Sequence, residues 1–522
     1  MILLVLVAGS LVASYIAWSV IFGYLRVYIR APKPAKWRSI VSFCLESEAP
    51  LPKVVITPQI RRQLILEAEN PSNYSNGISK LPSSELKPRG RTIYGFFHPN
   101  AAAGGGGERV LWAAIKATLS DENAVVALYM AKGPNSLLQV IANASERFNL
   151  LFTADELNRC VAIYLTQGHL IEPRIYPFFT LIGQIFGSVV LSYEALSNLV
   201  PDVFVDTMGL AFTYPMARWI AHIPVISYTH YPWVQSDMLS SLPIWSPKRI
   251  YWLSLLLAYK WAMSYSDVSL ANSTWTSNHL SKKATIVYPP CSTQSFGEPV
   301  ADRSPTIVYI AQFRPEKRHD LVMRAFSQMV DAGRKVLHGK RPHLIFVGSI
   351  RNKEDKELVT ELHKYAKDLG ISEKDYTIVV NAPWENVHKI LSTSMIGVNA
   401  MWNEHFGMGV VEVMAAGLIP VVHASAGPML DIVKDDAGVP GVLFKSKRDP
   451  DWAPGYPNLR DALLQALELS PEQKREYSLR AYAAAQRFSD ENFVNAWLSN
   501  LKNANKAIVE FAKWRKNRGL YD

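Results

Sequence analysis

Apolar positions in this chain gather into short, nearly unbroken runs rich in β-branched residues. In the first half these runs are Thr92–His98, Ala124–Met130, Cys160–Leu165, Asp202–Thr207, Pro224–His230 and Asp267–Asn272. They show little polar alternation, which is how strands read when both faces of a parallel sheet are covered by helices. Stretches with helical spacing separate them, so the pattern predicts βαβ units in a doubly wound sheet. The segment Pro289–Pro305 is rich in Pro, Ser and Gly and predicts a linker between domains. Beyond it the same grammar restarts with Thr306–Phe313, His343–Gly348, Thr377–Ala382, Ile396–Met401 and Ile419–Ala424. The expected fold class is α/β, with Rossmann-like domains over residues 92–290 and 305–495 facing each other across a cleft. The last residues, 496–522, are expected to form a helix that packs back on the first domain. Ligands of open parallel sheets bind beyond the carboxyl ends of the strands, so the site is expected in that cleft.

Two longer apolar stretches change the picture. Met1–Leu25 is apolar almost throughout, and Arg26, Arg30, Lys33, Lys36 and Arg38 follow it at once. At about 1.5 Å per residue such a helix exceeds a hydrocarbon core of about 30 Å. The positive-inside rule then puts the N-terminus outside or in a lumen and the remainder in the cytoplasm. No basic segment precedes the run and no small-residue cleavage site follows it, so a transmembrane anchor is expected rather than a signal peptide. Residues 26–91 read as a juxtamembrane linker. The second stretch, Ile175–Leu196, holds Pro177, Gly183, Gln184, Gly187 and Glu194, and is expected as a buried or membrane-dipping helix rather than a second span.

Composition narrows the chemistry. The chain has 522 residues, is 49% hydrophobic and 19% charged, and carries a formal charge of +10, which excludes a disordered class. Its basic residues form no long block and match no nucleic-acid-binding motif. A membrane surface and a phosphate-bearing substrate are the expected partners, not nucleic acid. Cys44, Cys160 and Cys291 are too few and too scattered for a disulfide framework or a metal cluster, and they suit a reducing compartment. The sequons at Asn73, Asn143 and Asn272 would then stay bare.

Four segments carry candidate chemistry. HPNAAAGGGGERVLW places Gly104, Gly105, Gly106 and Gly107 between a strand and a helix, where backbone N–H groups can approach phosphate or sugar closely. It is neither GxGxxG nor a Walker A loop. SYTHYPWVQSDML puts His230 at the carboxyl end of a strand. AQFRPEKRHDL sets Arg314, Lys317 and Arg318 just past a strand, where cations can neutralise a pyrophosphate or simply face solvent. NEHFGMGVVEVMAAG is the most specific segment. Glu404 and Glu412 flank a glycine-bearing loop with Phe406, Gly407 and Met408 at the start of a helix, whose N–H groups and dipole favour a phosphate ligand.

These segments together resemble the retaining glycosyltransferases of family four, which have the GT-B fold, and within them the alpha-1,2-mannosyltransferases of asparagine-linked glycosylation. The resemblance covers essentially the whole chain. It implies GDP-mannose as donor substrate, a dolichyl-pyrophosphate oligosaccharide as acceptor and the cytosolic face of the endoplasmic reticulum membrane as location. Other mannosyltransferases of the same pathway are implied as further partners, and no cofactor or metal. It further implies that Glu412 holds the ribose of GDP, Glu404 contacts the transferred mannose, Lys317 binds the pyrophosphate and His230 lies against the donor sugar. Gly104–Gly107 would border the donor phosphates and the acceptor entrance. Many relatives carry Gly-Arg where this chain has Ala311-Gln312, which leaves Arg314 as the candidate substitute for the missing pyrophosphate arginine. Retention of configuration is implied, by a front-face path in which the leaving phosphate helps to deprotonate the incoming hydroxyl. From the residues alone, another nucleotide sugar on the same fold, or a non-catalytic membrane scaffold, remains open.

Overall fold

A computed structural model of the protein describes residues 57–75, 86–234, 242–280, 283–300 and 303–519, with 23–31 and isolated positions 20, 35, 36, 39 and 239. Most of the expected Met1–Leu25 anchor, and much of the linker after it, lies outside the described residues. Among the described residues no helix is long and apolar enough to cross a membrane.

The chain forms two compact units. The first contains a sheet of β1 (Thr92–Phe97), β2 (Ala124–Ala131), β3 (Cys160–Leu165), β4 (Val203–Asp206), β5 (Val225–Thr229), β6 (Val268–Ala271) and the short β7 (Thr285–Ile286). Their order is β3-β2-β1-β4-β5-β6-β7, and the registered pairs from β3 through β6 are parallel. The second sheet contains β8 (Ser304–Ile310), β9 (His343–Gly348), β10 (Tyr376–Val380), β11 (Ser394–Asn399), β12 (Ile419–His423) and β13 (Val442–Phe444), in the parallel order β10-β9-β8-β11-β12-β13. Each sheet reverses its winding once, between β1 and β4 in the first and between β8 and β11 in the second. At such a switch point neighbouring loops leave in opposite directions and open a crevice for a ligand.

Among the described residues, several helices position the site or brace the sheets behind it. They are α1 (Pro58–Glu67), α2 (Gly106–Leu119), α3 (Thr180–Asn198), α4 (Pro247–Met263), α5 (His319–Val336), α6 (Met408–Ala415) and α7 (Asp490–Lys516). Helix α1 falls in the stretch read as linker and instead contributes Ile60, Leu64 and Ile65 to the first unit's core. It can do so because Arg62, on the same helix, pairs with Asp202 just before β4 at 2.6 Å, which compensates the guanidinium for its burial. Arg515, near the end of α7, reaches the same Asp202 oxygen at 3.4 Å. From Val494 onward the chain belongs to the first unit, where Trp497 is fully buried, stacks on Phe96 at 6.1 Å and donates its indole N–H to Thr118 at 3.0 Å.

The division between units falls earlier than the 290–305 linker. Residues Asn272–Asn278 and Ile286–Phe493 form the second unit. The cause is one distant carboxylate: Thr274 donates its backbone N–H (2.9 Å) and hydroxyl (2.5 Å) to Asp431, and Tyr288 donates to the same carboxylate at 3.0 Å. Cys291 bridges Ser489 in parallel register. The polar, proline-rich text is thus backbone bonded into the second unit rather than a free tether.

Candidate active site

In the first unit the switch point carries a polar cluster. His98 follows β1 and Thr207 follows β4, and their side chains meet at 2.7 Å (Nδ1 to Oγ1). The other His98 nitrogen faces Glu108 of α2 at 3.4 Å. Glu108 also accepts the Gly105 N–H at 2.5 Å, so the helix start is capped by its own carboxylate. One of the N–H groups that a phosphate could take in the glycine run is therefore already engaged. Gly104 sits at φ +81°, a conformation that favours glycine. A Cβ on Gly107 would lie 3.6 Å from His230 Nε2, so the glycine run and His230 belong to one site.

Burial sets the charges here. It pushes the His230 imidazole down to about 4, with His98 adding to the effect and Glu108 opposing it. His230 is then neutral at pH 7 and can serve as a hydrogen-bonding group, not as a cation for phosphate. Burial also pushes Asp206, at the end of β4, up to about 6 against the Tyr214 hydroxyl and the Met208 N–H. For Glu108 burial acts upward, but the hydrogen bond and charge of His98, with the Gly105 N–H, hold the carboxyl below its ordinary value.

In the second unit the switch point brings together Lys317, past β8, and Glu404, past β11. Their side chains form an ion pair, 18% and 13% exposed respectively. Asn399, the last residue of β11, lies against the same carboxylate at 3.5 Å. The loop after Glu404 is shaped by glycine. Gly407 caps α6 at φ +107°, and a Cβ there would meet Glu404 Cγ at 3.3 Å. A Cβ on Gly409 would meet the Ile310 carbonyl at 2.9 Å, so only glycine lets the start of α6 lie this close to the end of β8. Glu412 stands half-buried on α6, past its first turn.

Other expected residues are placed differently. Arg314 is half-buried and faces Glu316 at 3.4 Å rather than Lys317 or Glu404. Arg318 turns away to Asp449 at 2.8 Å. Phe406, expected to line the donor site, buries its ring against Tyr288 and Phe488, and leaves only its backbone for a ligand. Met408 packs partly into the same core.

The loop also rests on residues that motif reading missed. Asp449 joins Arg318 to His423 at 2.7 Å, His423 reaches Ser425 at 2.8 Å, and Ser425 accepts the Asn403 N–H at 3.0 Å. Arg318, Asn403 and Ala426 all hold positive φ, at 57°, 54° and 46°. Backbone strain of this kind persists where surroundings over-determine the chain, and it clusters at functional loops. His319, at the start of α5, is sealed among Tyr309, Phe313 and Phe346, and burial pushes its imidazole down to about 3. The histidine is visible in AQFRPEKRHDL, but among so many charged neighbours it reads as one more solvent-facing group.

Comparison with known proteins agrees with this geometry. Residues 91–283 match the family profile described as ALG11 mannosyltransferase N-terminus, and 292–480 match glycosyl transferases group 1. A Yarrowia lipolytica protein named GDP-Man:Man(3)GlcNAc(2)-PP-Dol alpha-1,2-mannosyltransferase is 37% identical over 98% of this chain and 93% of its own length. A human protein of the same name is 36% identical over 81% of this chain and 89% of its own. Among solved structures, a sucrose-phosphate synthase from Thermosynechococcus elongatus aligns with TM-score 0.58 at 15% identity, covering 80% of this chain and all of that one. That likeness shows the GT-B fold.

Proposed function

The chain belongs to the ALG11 mannosyltransferase family, and on that premise we propose that it moves mannose from GDP-mannose to a dolichyl-pyrophosphate-linked oligosaccharide in alpha-1,2 linkage. The observation that carries this reading is the Lys317–Glu404 pair at the β8/β11 switch point, beside the start of α6. An incoming diphosphate competes with Glu404 for the Lys317 ammonium. The exchange leaves a carboxylate ready to accept hydrogen bonds from the sugar. Charge developing on the leaving diphosphate is met by Lys317 and by the N–H groups that open α6, an electrostatic role that needs no resident metal. Configuration is retained by attack of the acceptor hydroxyl on the face the diphosphate leaves, and the departing phosphate oxygen takes its proton. Within the first unit, neutral His230 beside the glycine run offers a hydrogen-bonding group and not a charge.

The acceptor is lipid-borne, and the first unit offers a surface suited to that. On α3 and the residues before it, Phe178, Phe179, Ile182 and Phe186 are exposed, Phe178 by 81%. On α4, Ile250, Leu253, Leu257 and Trp261 are exposed too, and Phe179 touches Tyr251 at 5.8 Å, which joins the two helices. Lys248 and Arg249 stand at the start of α4. Apolar and aromatic side chains with neighbouring cations fit the headgroup region of a bilayer. This supports membrane contact at the cytosolic face of the endoplasmic reticulum, with the N-terminal run as a single-pass anchor.

The deciding experiment is an assay of the purified full chain in detergent with GDP-mannose and lipid-linked oligosaccharides of graded length, followed by linkage analysis. Transfer of alpha-1,2-linked mannose is expected, and no mannosyl product from GDP-mannose would overturn the reading. Glu412, as the ribose ligand, gives a second test. Glu412→Ala should weaken GDP-mannose and GDP to a similar degree, by about 1.5–3 kcal/mol for a charged hydrogen bond. Calorimetry with GDP alone checks it, and unchanged GDP affinity would remove the ribose assignment.

A further inference from the structure

We propose that Asn399 is a positioning residue that holds Glu404 in place through the transfer step, a role that rests on the donor reading above. Asn399 ends β11 and is 5% exposed. Its Nδ2 lies 3.5 Å from Glu404 Oε2, the oxygen that also pairs with Lys317. A carboxylate at neutral pH only accepts, so the amide's NH₂ side must face it, and this fixes the orientation of the whole group. The Oδ1 atom is thereby turned elsewhere. It is enclosed and has no hydrogen-bond partner among the described residues.

That arrangement is unfavourable for folding. A buried acceptor left unbonded costs stability, whereas an apolar side chain of similar size at the same place carries no such cost. The preceding residues of β11, Ile396, Gly397 and Val398, are what a buried parallel strand calls for, and Asn399 breaks that pattern at the position that touches Glu404. The amide does something at Glu404 that leucine cannot. Among the described residues, Glu404 has two side-chain donors in the resting site, Lys317 and Asn399. When a diphosphate draws the ammonium away, the Asn399 amide is the one that stays. It then keeps the carboxylate aimed at the sugar hydroxyls while Lys317 follows the leaving group.

The role separates cleanly from a structural one by measuring kcat, KM for GDP-mannose, inhibition by GDP and melting temperature for Asn399→Leu. Turnover should fall about tenfold, the loss of one hydrogen bond to a charged group. GDP carries no sugar for Glu404 to hold, so its inhibition constant should stay unchanged. The melting temperature should be equal to or above that of the parent, because the orphaned Oδ1 is gone. Turnover within about twofold of the parent would overturn the assignment, and so would a loss matched by weaker GDP binding and a lower melting temperature. If N399L does not fold, N399S fits any packing at this position and carries the same expectation for kcat and for GDP. A parent protein that makes no product from GDP-mannose would instead overturn the donor reading itself, and this role with it.

Discussion

Replacing Lys317 with alanine is expected to lower kcat by about a hundred- to a thousandfold, the usual loss for a group that stabilises charge developing in the transition state. On the proposed donor reading, Lys317→Ala removes the cation at the β8/β11 switch point, and among the described residues Arg318 is committed to Asp449 and Arg314 is turned toward Glu316. A second effect acts in the same direction. Glu404 is 13% exposed and pairs with Lys317 at rest, so among the described residues the substitution leaves a largely enclosed carboxylate with Asn399 as its side-chain donor. Initial rates at saturating GDP-mannose measure the effect. Lys317→Arg keeps the charge but needs more room, and should recover only part of the rate. Turnover of K317A within about threefold of the parent would mean that another cation carries the diphosphate.

The largest expected effect on stability is at Asp202. Its Oδ1 takes Arg62 at 2.6 Å and Arg515 at 3.4 Å, and its Oδ2 accepts the Ile93 N–H at 2.8 Å. Both guanidinium groups are nearly enclosed, with side chains 4% and 2% exposed. In Asp202→Ala they stay buried without the carboxylate they share, and the start of β1 loses a bond. Removing one partner from a buried ion pair costs about 3–5 kcal/mol. For a unit of this size that corresponds to a fall of about 5–8 °C in the first unit's transition. Differential scanning calorimetry of the full chain reads it. The second unit's transition should stay in place, since Asp202, Arg62 and Arg515 all belong to the first. A first-unit transition within about 2 °C of the parent would show that the triad contributes little.

The strands were legible because burial on both faces leaves no freedom in composition. Cys160–Leu165 and His343–Gly348 match the sequence pattern residue for residue. β7 and β13 were not legible, since two or three residues carry no period. The unit boundary was missed for a different reason. Thr274 and Tyr288 are assigned to the second unit by Asp431, a partner far along the chain that local composition cannot reveal. The site divides in the same way. Glu404 and Lys317 stood out because glycine spacing and charge sit next to strand ends. The burial of the Phe406 ring was not legible, because an aromatic beside a glycine loop looks the same in text whether it faces a ligand or the core. His98, Glu108 and Thr207 meet only through sheet order, as do Arg318, Asp449 and His423. Asn399 was invisible because its meaning lies in an atom left unbonded, which no spacing encodes.

The assignment of residues from Val494 onward to the first unit has a consequence for biosynthesis. A ribosome has made the whole second unit before it makes Trp497 and Arg515, so the unit begun first is the unit completed last. Until α7 is made, Phe96 and Thr118 lack Trp497, and Asp202 holds Arg62 without Arg515. A premature stop codon before α7 is complete would therefore spare the second unit and cripple the first.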